Sequence, residues 1–224
     1  MANEGQGVPT PPATEKSKAR ARGVEHLQQL YTVATGLSLA VSIKNLIDTE
    51  NINAAIPIEF SVIPYFAAYI VTLLPIAHGA LWHLDTAYRD ADSSGPRRGS
   101  LFVDWLLLFI ESCALLGLAM LIKNVKSFSL GLLALLVFDS LWALGAHLAF
   151  SAKKLSLTIE ARWAIINGTA SALLIGVLVF LDSQESRVPP NARVGMYRWV
   201  LVLLIALGRT IVDYAWCREA YFPE

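Results

Sequence analysis

Two stretches of this 224-residue chain, 60–84 and 163–181, contain no Asp, Glu, Lys or Arg. A hydrocarbon layer about 30 Å thick is crossed by roughly 20 apolar helical residues, so each stretch is long enough to span a membrane. A third stretch, 26–43, is equally free of those four residue types and runs into Lys44. Three more pass the length test while holding a few ionisable groups: 101–122 with Asp104 and Glu111, 128–150 with Asp139, and 195–216 with Arg198, Arg209 and Asp213. The expected fold is all-α: a polytopic membrane protein built as a six-transmembrane-helix bundle. Its spans fall at about 26–46, 60–84, 101–122, 128–150, 161–181 and 195–216. They form one transmembrane domain over 23–217, flanked by a disordered cytoplasmic tail at 1–22 and a short tail at 218–224.

Composition agrees with that solvent. The chain is 55% apolar and 16% charged, with a mean hydropathy of +0.51, whereas a soluble domain carries about 25% charge. Eighteen basic residues balance eighteen acidic ones, which argues against a nucleic-acid partner and leaves the lipid bilayer as the expected one. Cys113 and Cys217 are too far apart in sequence to suggest a disulfide framework or a C-x-x-C metal site.

The N-terminal twenty or so residues are polar or small, with Pro9, Pro11 and Pro12, and do not read as a secretory signal. Lys and Arg in short loops set orientation. With the N-terminus inside, eleven fall on the cytoplasmic side (Lys16, Lys18, Arg20, Arg22, Arg89, Arg97, Arg98, Lys153, Lys154, Arg162 and Arg218) and six on the other. The expected topology is therefore N-in/C-in, in a multi-pass membrane location, a bacterial inner membrane being the expected one. Aromatic residues near the helix ends, including Trp82, Trp163, Trp199 and Trp216, fit interfacial belts, and the segment 216–222 is expected along the inner headgroup layer.

Small residues four apart let membrane helices approach closely. Gly36 and Ala40, and Gly168, Ala172 and Gly176, form two such faces. They suit intramolecular packing or, alternatively, a homo-oligomer interface. Pro64 and Pro75 are expected inside the second helix, where each removes a backbone hydrogen bond.

Ionisable side chains are costly in lipid and mark a membrane protein's interior. The topology puts His78, His83, Asp104, His147, Glu160, Arg209 and Asp213 toward the cytoplasmic half, with Glu111 and Asp139 near the midplane. Asp104 and Glu111 are seven apart and share a helix face, as do Glu160, Asn167 and Ser171. His78, Trp82 and Asp85 share another face; Arg209 and Asp213, four apart, can pair. The expected binding or gating set is Glu111 and Asp139 as a midplane pair, Arg209 with Asp213 as counter-charge, and His78, His147, Glu160, Asp104 and Asn167 lining the inner mouth. One reading is a polar network that only fixes helix register. Another is a small channel or transporter-like bundle moving an ion, proton or small polar solute through a polar cavity in the cytoplasmic half.

Two alternatives stand beside these. One is a non-catalytic membrane effector or assembly subunit. The other is a membrane-embedded metal- or haem-binding enzyme, since imidazoles at His78, His83 and His147 share a depth. Against the second, His78 and His83 diverge by about 140° on a regular helix, and H-E-x-x-H is missing. No cofactor or catalytic residue is expected: the chain has no Walker A, G-x-G-x-x-G or G-x-S-x-G pattern, no lysine in the last span and no regular arginine ladder.

Overall fold

A computed structural model describes residues 13–47, 57–89, 100–150, 158–185 and 192–222. Among these the regular structure is helical, apart from a lone bridge between Ile47 and Ile58. Six long helices follow in order: α1 (Ala13–Leu46), α2 (Ile63–Leu84), α3 (Leu101–Met120), α4 (Val125–Phe150), α5 (Ile159–Glu185) and α6 (Ala192–Trp216). A short α7 (Arg218–Tyr221) ends the described chain.

Local sequence sets several of these boundaries. Pro64 lies in the first turn of α2, where its missing N–H costs nothing, so only Pro75 interrupts the helix interior. This corrects the expectation of two internal prolines. Asn124 Oδ1 accepts the Ser127 N–H at 3.0 Å and caps α4. Thr158 Oγ1 does the same for the Ala161 N–H, at 3.4 Å, at the start of α5. α2 runs on through a π-helical turn, Asp85–Arg89, which brings Tyr88 inward.

Five helical segments are long and apolar enough to cross a membrane: 60–88, 101–120, 125–149, 159–184 and 197–216. The first expected span, 26–46, is not among them. Several of its polar residues turn inward: the Tyr31, Ser38 and Ser42 side chains are buried, and Gln28 Nε2 donates to the Leu81 carbonyl at 3.5 Å. Its outer face remains apolar, with Leu30, Val33 and Leu37 exposed. α1 also begins at Ala13, so residues 13–22, expected as tail, are helical. Arg97, Arg98, Lys153, Lys154 and Arg187, which carry much of the expected charge bias, lie outside the described residues.

Each long helix packs chiefly on two others, giving a closed ring in the order α1, α3, α4, α5, α6, α2. Helix direction alternates along the chain. At one end of the bundle α1 begins, α2 and α4 finish and α6 meets α7. At the other, Lys123 pairs with Glu59 at 2.9 Å and Arg198 with Asp182 at 2.7 Å. Toward that second end the interior is a dry apolar core, with Tyr65, Tyr69, Leu73, Leu115, Leu118, Phe128, Leu132, Leu135, Leu174 and Val202 buried together. The ring's outer surface is apolar on every long helix, for example at Phe109, Leu141, Val179 and Ile211.

Candidate functional site

Five ionisable residues of α3, α4 and α6 gather inside the ring. Glu111 and Asp213 are essentially unexposed, and Asp104, Asp139 and Arg209 are buried. Two groups of contacts result.

The first group sits at mid-depth. Tyr31 of α1 donates its hydroxyl proton to Glu111 Oε1 at 3.1 Å. On the facing helices Asn167 Nδ2 donates to Asp139 Oδ2, and Arg209 Nε donates to Asn167 Oδ1 at 2.7 Å. The Arg209 guanidinium lies 3.6 Å from Asp139 and 3.6 Å from Asp213. Asn167 thus bridges a carboxylate and a guanidinium, using its amide donor toward one and its carbonyl acceptor toward the other. Gly168, beside it, lets α5 close on α4: a Cβ there would lie 3.3 Å from Ser140 Oγ.

The second group lies nearer the end where α1 begins. His83 Nε2 meets Asp104 Oδ2 at 3.3 Å, and its Nδ1 is 3.8 Å from Glu160 Oε1. Tyr88 donates its hydroxyl to the same Asp104 oxygen. One imidazole therefore links carboxylates of α3 and α5; the expected binding or gating set holds His78 and not His83.

α7 closes the space beneath. Tyr221 is buried, donates its hydroxyl to Asp213 Oδ1 at 3.2 Å and accepts the Trp163 indole N–H at 2.8 Å. Within the segment 216–222 the Cys217 and Tyr221 side chains are buried against the bundle, while Trp216, Arg218, Glu219 and Phe222 are exposed. Burial is the largest influence on the Cys217 thiol, and with the nearby Asp213 charge it is pushed up to about 12.

Several expectations change here. His78 stacks on Tyr221 at 4.4 Å between ring centroids and is not placed on any carboxylate. His147 Nδ1 meets Thr158 Oγ1 at 2.9 Å. Arg209 pairs with Asp213, and the guanidinium's second carboxylate is Asp139. Between these groups the described interior is narrow. The space bounded by Pro75, Gly79, Asp139, Trp142, Arg209 and Asp213 measures about 10 Å³, room for no more than about one water. Beside it, Arg209 Nη1 and Asp213 Oδ2, as well as Glu111 Oε2, are buried without a hydrogen-bond partner. Among the described residues no three His, Cys, Asp or Glu side chains form a metal-ligand cluster.

The small-residue faces separate. Gly36 and Ala40 point outward into open space, as do Ala172 and Gly176, while Gly168 packs inside. Comparison with known proteins adds no relative: no family model, no curated protein and no solved structure matches this chain.

Proposed function

We propose that the chain is a six-span membrane protein, N-in and C-in, that takes protons into the polar half of its interior and passes them, or a solute exchanged for them, across the membrane as a small transporter. The observation that carries this is a charge imbalance. Among the described residues, the cations at ion-pair distance within the group Asp104, Glu111, Asp139, Glu160 and Asp213 are one guanidinium, Arg209, and one imidazole, His83. Full ionisation leaves three charges uncompensated among these groups. Each stranded charge costs several kcal/mol in a low-dielectric interior. Neutrality of the interior therefore calls for protons or other cations, and the hydrogen-bonded chain offers sites that can hold them.

The route has a polar half and an apolar half. Protons reach Asp104, His83 and Glu160 from the end where α1 begins, and Glu111 and Asp139 lie deepest. Beyond them the Tyr65–Phe128–Leu132 core blocks a continuous path, so crossing requires helix rearrangement rather than an open pore. This favours a carrier over a channel. The inward polar face and outward Leu30, Val33 and Leu37 of α1 support its counting as the sixth span.

The test is proton movement in proteoliposomes with an entrapped pH dye under an imposed potential. Glu111→Gln and Asp139→Asn should each reduce movement at least about tenfold, equivalent to roughly 1.4 kcal/mol, with folding intact. Unchanged movement in both variants refutes the assignment. A second reading, an assembly subunit acting through homo-oligomerisation, is favoured by the outward position of Gly36 and Ala40 and of Ala172 and Gly176. Gly36→Leu would then change oligomer size and leave any movement per subunit unaltered.

A further inference from the structure

α3 and α4 pack closely at the short turn between them and part toward the other end, leaving a groove of about 550 Å³ on the outer surface. Its apolar walls include Val103, Leu107, Phe138 and Leu141, and Val103 and Leu141 belong to the lipid-facing surface. Two residues of its lining are different in kind. Asp104 belongs to the groove and to the His83–Glu160 group at once. Trp142 lines it too, its ring roughly perpendicular to that of His83 at 5.3 Å between centroids.

We infer that this groove is a side entrance for a lipophilic monocation, whose charge rests against Asp104 and the Trp142 ring while its apolar body lies along Leu107, Phe138 and Leu141. Three observations select that occupant. The volume suits a small organic molecule. Charge complementarity favours a cation, because Asp104 and Glu160 share one imidazole. Two aromatic residues in the lining, Phe138 and Trp142, suit a lipophilic cation beside the carboxylate.

The groups facing Asp104 are His83, Tyr88 and Trp142 directly and Glu160 across His83, with the Arg20 guanidinium 5.4 Å from the Tyr88 ring centroid. A cation arriving there neutralises the charge that a proton otherwise neutralises, so the two compete. This inference rests on the proposed proton uptake and names its exchange partner.

The experiment measures equilibrium binding of tetraphenylphosphonium, and of its neutral analogue tetraphenylsilane, to the full-length protein in detergent. Saturable, cation-selective binding is expected, with roughly tenfold loss in Asp104→Asn, in line with the cation–π and ion-pair energies at stake. Gly145→Leu provides a variant that leaves the acidic group in place. Gly145 lines the groove with open space at its Cβ position, so the leucine fills the groove without disturbing the core, and binding should again be lost. Equal binding of the neutral analogue, or undiminished binding in Gly145→Leu, overturns the inference. Cation binding without proton movement refutes the proposed function alone; proton movement without cation binding refutes the groove alone.

Discussion

Replacing Arg209 by Met tests whether the buried charges hold one another. The guanidinium is almost wholly buried, donates to Asn167 at 2.7 Å and stands 3.6 Å from two carboxylates. An exposed ion pair contributes about 0–1 kcal/mol. A buried one whose partner is removed costs about 3–5 kcal/mol, because the remaining charge is stranded. Here the loss strands Asp139 and Asp213 and leaves the Asn167 carbonyl oxygen without its donor, so Arg209→Met should destabilise by about 3–5 kcal/mol. Adding Asp139→Asn removes one stranded charge, and the double variant should be less destabilised than the two single losses added together, by about 1–3 kcal/mol. Reversible unfolding in mixed detergent–SDS micelles, followed by tryptophan fluorescence, measures both quantities. Arg209→Met within about 1 kcal/mol of the unmodified protein, or strict additivity with Asp139→Asn, would refute the reasoning.

Tyr31→Phe removes the donor to Glu111 Oε1 in a carboxyl whose Oε2 already lacks a partner, so a loss of about 1–3 kcal/mol is expected in the same unfolding assay. Gly79→Ala puts a Cβ 3.2 Å from Trp163 Cζ2 and 3.4 Å from the Tyr221 hydroxyl; overpacking of about 1–3 kcal/mol should loosen α7, read as faster alkylation of Cys217. In the unmodified protein the Cys217 thiol, raised to about 12 by burial and the Asp213 charge, should resist a maleimide at neutral pH, and Tyr221→Ala should make it reactive. Rapid labelling of the folded protein would contradict that placement. A fluorescent reporter fused after Glu224 should be bright and a phosphatase fused there inactive, as an inward C-terminus requires.

How much of this was legible in the sequence depended on the kind of signal. Charge inside an apolar run is easily seen, so Asp104, Glu111, Asp139, Arg209 and Asp213 stood out, and helical spacing alone put Asn167 on the face of α5 that turns inward. Tyr31 and Tyr221 carry no charge at neutral pH and so escaped a search for ionisable groups, although both donate to buried carboxylates. His83 was missed because the face of α2 was drawn through His78, Trp82 and Asp85. The buried stripe Tyr65, Tyr69, Thr72, Ile76, Ala80 and His83 steps by three and four residues and could have pointed to it. Whether the interior is open or packed was not legible, since it depends on how six helices close around side chains such as Trp142 and Trp163. The inward contacts of Tyr221 were hidden for the same reason: an aromatic end reads as an interfacial belt until its partners, Trp163 and Asp213, are known to face it.

The most direct test of the central claim is infrared difference spectroscopy of the protein in lipid across a pH step, observing the carbonyl stretch of protonated carboxyl groups. Interior carboxyls that hold exchangeable protons predict such a band, shifted by deuterium exchange, altered by the pH step and diminished in Glu111→Gln and in Asp139→Asn. A spectrum with no protonated-carboxyl band, or one unchanged in both variants, would contradict the account.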